Sequence, residues 1–107
     1  LYKNKVDDLH NYLLKTFKKH NVNLFISGHE HNVQFLNRIY DDLDFNQIII
    51  GSSSEIRRQE KPCNLLKNDM YDNKEMFFGK LYINERNYII RYFNQDNILK
   101  HQFKIDF

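Results

Sequence analysis

Val22-Asn23-Leu24-Phe25-Ile26-Ser27-Gly28-His29-Glu30-His31-Asn32 is a short apolar run that ends in glycine and a pair of histidines. The run over 22–27 reads as a buried strand. Gly28 ends it, since glycine lets a backbone turn tightly or approach a ligand closely. In an extended or loop segment, His29 and His31 point the same way, roughly 6–7 Å apart at about 3.3 Å rise per residue. A helix would send them to nearly opposite sides, and the strand and glycine argue against a helix. Two imidazoles so placed converge on one metal ion or serve two ions about 3.5–4 Å apart. A position just past a buried strand is also where open α/β sheets bind ligands. Imidazole favours zinc, iron and copper over magnesium or calcium. The competing reading is a pair of surface histidines, and two ligands fall short of the three protein ligands plus water usual in a catalytic site.

Outward from this stretch the chain reads as one helix before it and strands after it. Upstream, Val6, Leu9, Leu13 and Phe17 recur at helical spacing, so the pattern predicts an amphipathic helix over 6–20. Asp7 and Asp8 near its start and Lys18 and Lys19 near its end complement the helix dipole. Asn21 suits the stop, because Asn tolerates left-handed geometry. Downstream, 33–40 reads as a second strand, 41–44 as a turn, and Gln47-Ile48-Ile49-Ile50 as a third strand buried on both faces. Residues 55–74 are polar and include Pro62, which predicts a long loop with a candidate short helix over 65–70. Segments 76–83, 88–93 and 98–107 are rich in aromatic and branched residues. Asn84-Glu85-Arg86-Asn87 and Asn94-Gln95-Asp96-Asn97 separate them with turn chemistry, so the tail reads as an antiparallel meander. The fold class expected is α/β with one main helix and about six strands.

Composition narrows the function classes. The chain of 107 residues fits one domain or a piece of one. An apolar share of 41% with 28% charged residues places it among globular rather than disordered chains. A net charge of +2 is too weak to argue for nucleic acid, and no basic run suggests a membrane patch. Cys63 is the only cysteine, which excludes an internal disulfide framework. No stretch reaches the roughly 18 apolar residues of a transmembrane helix, and no signal peptide is visible.

Phe25-Ile26-Ser27-Gly28-His29-Glu30-His31-Asn32-Val33-Gln34-Phe35-Leu36 resembles the closing metal-ligand motif of the calcineurin-like metallophosphoesterases. Among these it is most similar to purple acid phosphatases of the small tartrate-resistant type. Those also carry Gly-His-acidic-His-Asn, followed by a strand with Gln and an aromatic residue. Many have Asp where this chain has Glu30. The upstream helix, Ile48-Ile49-Ile50-Gly51-Ser52-Ser53 and Phe78-Gly79-Lys80-Leu81-Tyr82-Ile83 fit the same pattern, so the resemblance covers most of the chain. It implies that 1–107 is the C-terminal portion of a single four-layer αββα sandwich domain. It implies two metal ions, iron with zinc, manganese or iron, and hydrolysis of phosphate monoesters. His29 would ligate the second, divalent metal and His31 the first. The family's remaining ligands would come from the N-terminal part of the parent domain, so no catalytic residue maps here and this stretch alone would be inactive. A secretory or endomembrane location follows by the same resemblance. The same motif also occurs in non-catalytic scaffold or membrane-complex anchor proteins of this fold. A third reading is a β-rich binding module with an incidental histidine pair.

The other candidates carry bland readings beside functional ones. Glu30 and Asn32 flank the histidines and suit hydrogen bonding to a ligand, or are solvent-facing loop residues. Arg57, with Arg58, suits phosphate through bidentate hydrogen bonds, although a charged pair in a loop is more often solvated surface. The Ser52-Ser53-Ser54 run offers backbone N–H groups to a phosphate. His101 shares a face with Leu99 and Phe103 and reads as a partly buried structural histidine. His10 and His20 read as solvated.

Overall fold

Helix α1 (Tyr2–Lys19) opens a computed structural model that describes residues 2–52 and 64–106. It starts earlier than the apolar periodicity marks, so Asp7 and Asp8 lie beyond its first turn, which holds no acidic residue. Leu13, Leu14 and Phe17 are half-buried, while Leu9, expected on the same face, is 59% exposed. The stop is built as expected. Val22 N donates to Phe17 O at 2.8 Å and Asn21 N to Lys18 O at 3.3 Å, with Asn21 at φ 54°. That is a Schellman motif with Asn in the left-handed position.

Strands β1 (Leu24–Ser27), β2 (Val33–Tyr40), β3 (Leu43–Ile50) and β4 (Met70–Asp72) form one sheet in the order β1-β3-β2-β4. β1 runs parallel to β3, with Ile26 opposite Ile48. The β2–β3 and β2–β4 pairs are antiparallel. β3 is longer than the apolar run 47–50, because Leu43 and Phe45 are also buried. The turn before it is only Asp41 (φ 47°) and Asp42 (φ 69°), the two positive values of a type I′ hairpin. No helix forms over 65–70; Met70 begins β4 instead, held opposite Phe35. Asp69 ends the preceding turn. It accepts from Leu66 N at 2.6 Å and pairs with Arg38 of β2 at 2.8 Å.

The meander is present as β5 (Phe77–Ile83), β6 (Asn87–Asn94) and β7 (Leu99–Asp106), in sequential antiparallel order. Asn84 Oδ1 accepts from Arg86 N and Asn87 N, an Asx turn. Asn97 at φ 61° closes the second connection. The described residues therefore form a small α/β domain of one helix and two sheets, with seven strands rather than six.

α1 packs on one face of the first sheet, where the Phe17 ring stacks on Phe45 at 5.5 Å and tilts toward Phe25 at 6.0 Å. The opposite face carries Val33, Phe35, Ile48 and Met70, which meet Phe77, Ile90 and Tyr92 of the second sheet. Phe35 and Phe103 stack at 4.1 Å across that interface. Burying each such side chain contributes about 1.5–3 kcal/mol. Polar links also join the sheets beside this core. The Tyr92 hydroxyl donates to Gln34 O at 3.0 Å, and His101 Nε2 lies 2.9 Å from Asp72 Oδ2. His101 is thus the partly buried structural histidine expected. No helix among the described residues is long and apolar enough to cross a membrane.

Candidate metal site

Because β1 and β3 are parallel, both leave the sheet at the same end. Residues 28–32 follow β1 there and Gly51 and Ser52 follow β3, while β2 starts at Val33 and β4 finishes at Asp72 opposite it. His29 and His31 therefore stand where the carboxyl ends of parallel strands meet, the usual ligand position of an α/β sheet.

The loop carrying them is not extended, so simple alternation does not describe it. Glu30 N donates to Gly28 O at 2.9 Å and Asn32 N to Glu30 O at 2.8 Å, two successive three-residue turns centred on the two histidines. His29 sits at φ 73°, a value uncommon for residues other than glycine. A three-residue turn with positive φ at its centre is the rare, strained form. Gly28 itself has no positive φ. Its backbone instead passes close to β3, where an added Cβ would lie 3.3 Å from Ile50 O.

His29 and Glu30 are exposed and His31 is half-buried. Asn32 is 3% exposed, its Oδ1 accepting from Gln34 Nε2 at 2.9 Å and its carbonyl accepting from Gly51 N at 3.0 Å. It is the pin between the histidine loop and β3. Glu30 presents its side chain to solvent and its backbone to Gly51. Arg57, Ser53, Ser54 and Cys63 lie outside the described residues. Ser52 is fully buried beside the loop's anchor, and its hydroxyl has no hydrogen-bond partner among the described residues.

Two imidazoles at a strand end suit a transition metal. Among the described residues no group of three or more His, Cys, Asp or Glu side chains comes together to hold one. The strain at His29 and the contact of Gly51 with Glu30 were not legible in the sequence, since both depend on which strand lies beside the loop. Neither a family model nor a curated protein matches this chain.

Proposed function

We propose that this chain is the C-terminal portion of a calcineurin-like metallophosphoesterase domain similar to purple acid phosphatases, and that His29 and His31 ligate a dinuclear metal centre. The observation that carries this reading is the strained backbone at His29, at the carboxyl end of a parallel strand pair. Strain of this kind costs about 1–3 kcal/mol and clusters at functional sites. When bound, the two metal ions would supply Lewis-acid activation of a phosphate monoester and of the attacking water. The chain's own residues hold and orient them. The ring nitrogens of His29 and His31 would provide the lone pairs, and Asn32 fixes the loop through Gln34 and Gly51. Glu30 stands at the exposed rim, and Arg57 is proposed as a phosphate contact.

The sheets support a larger parent domain. β1 is paired only with β3 among the described residues, yet it reads as a central strand, apolar on both faces. Phe25 is 38% and Ile26 51% exposed, and Ile83 at the end of β5 is 68% exposed although it lies in register with the core-facing Leu81. Strands of an N-terminal part, laid beside β1 and β5, would cover these residues and bring the missing ligands to the same end of the sheet.

The test is metal content and para-nitrophenyl phosphate hydrolysis of the longer polypeptide, beside His31→Ala. Two metal ions with turnover that collapses in the variant support the phosphatase. Bound metal without turnover points to a scaffold of the same fold, and no metal in either protein refutes the site.

A further inference from the structure

We infer that Gly51, and not the motif glycine Gly28, is the positioning residue that holds His29 and His31 in ligating geometry; this rests on the reading of those two histidines as ligands. A Cβ added to Gly51 would lie 1.6 Å from Glu30 O, 2.6 Å from Glu30 C and 3.2 Å from Glu30 N. Every one of these atoms is backbone, so no rotamer change relieves the clash. Glu30 is the residue between the two histidines, and its carbonyl already accepts from Asn32 N at 2.8 Å. Gly51 N in turn donates to Asn32 O at 3.0 Å, which keeps the two segments from sliding apart. The histidine loop therefore rests directly on the Cα of Gly51. A methyl group there must lift Glu30 by more than 1 Å to reach ordinary contact, and the flanking imidazoles move with it. The requirement is steric, since Gly51 has no positive φ. At Gly28 the nearest heavy atom to an added Cβ is Ile50 O at 3.3 Å, a contact that a shift of a few tenths of an ångström relieves.

The experiment is Zn²⁺ titration of the longer polypeptide by calorimetry, with amide hydrogen exchange in the metal-free state, for the wild type, Gly51→Ala and Gly28→Ala. Gly51→Ala is expected to weaken Zn²⁺ binding by about tenfold or more, the scale seen when the support of a ligand is lost. It also removes the exchange protection of Glu30 N and Asn32 N, while Tyr88, Ile90 and Tyr92 amides in β6 stay protected. Gly28→Ala keeps both the binding and the protection. A folded Gly51→Ala that binds Zn²⁺ as the wild type does overturns the inference. So does a Gly51→Ala that loses β6 protection along with the metal, and so does a Gly28→Ala that loses the loop. A wild type that takes up no Zn²⁺ refutes the ligand reading instead, and the exchange data then still decide whether Gly51 sets the loop.

Discussion

Glu30 N donates to Gly28 O at 2.9 Å across His29, which is held at φ 73°. A histidine occupies the position that glycine would take with least strain, while the glycine beside it has no positive φ. His29→Gly is therefore expected to separate stability from binding. Strain relief of about 1–3 kcal/mol, less glycine's entropic cost of about 0.5–1 kcal/mol, leaves stability equal or higher. Metal affinity falls at the same time. Urea unfolding beside Zn²⁺ titration checks both, and a variant that is less stable than the wild type contradicts the strain assignment.

Tyr92 ties the second sheet to β2 two residues after Asn32, through its hydroxyl to Gln34 O. Tyr92→Phe removes that hydrogen bond inside the core and is expected to cost about 1–2 kcal/mol. Burial pushes the Tyr92 hydroxyl well above its ordinary range. The raised folded value means that this contribution is complete below the unfolded tyrosine value of about 10 and is lost as pH rises beyond it. Alkaline unfolding followed by circular dichroism should therefore lose part of its pH dependence in Tyr92→Phe.

Asp69 gives the opposite limb. Its hydrogen bond with Arg38, aided by Leu66 N, holds its carboxyl below the usual carboxylate range. The stability it brings is present above the unfolded aspartate value and is lost as pH falls through the lowered folded one. Asp69→Asn is expected to cost about 2 kcal/mol at neutral pH. It should also flatten the acid side of the stability profile, which denaturant titrations between pH 2 and 7 would show. An unchanged acid limb would mean that the pair does not hold the turn before β4.

The exposed inner residues give a prediction about context. Ile26→Lys places a charge on an open sheet edge in this chain, so it should leave the chain's stability nearly unchanged and reduce self-association. In the longer polypeptide the same position would be covered, and the lysine would be buried without a partner. There it is expected to cost about 3 kcal/mol or more. Sedimentation of the chain and thermal unfolding of the longer protein make the comparison. An equal effect in both would remove the case for strands beside β1.

Much of this architecture is written locally. The apolar spacing of Leu13 and Phe17 announces α1, and the Asn-rich turns at 84–87 and 94–97 announce the meander. The start of α1 at Tyr2 is not legible, because residues 2–5 show no periodic apolar face. β4 is not legible either, because a strand over Met70–Asp72 is too short to show a period and is held by pairing with β2. Leu43 and Asp44 read as turn residues because Asp41 and Asp42 beside them are so polar, yet those two residues complete the turn by themselves. The histidine pair was legible as candidate chemistry. Its actual geometry was not, because the turn at His29 and the seat on Gly51 arise from β3 running parallel beside β1, a pairing that neither segment encodes alone.

Metal binding by His29 and His31 is tested most directly by a Zn²⁺ titration of the longer polypeptide, followed by the imidazole resonances of His10, His20, His29, His31 and His101. Selective, saturable shifts at His29 and His31, abolished by His31→Ala, are the result expected. Equal weak shifts at His10, His20 and His101, or none at His29 and His31, would contradict the account.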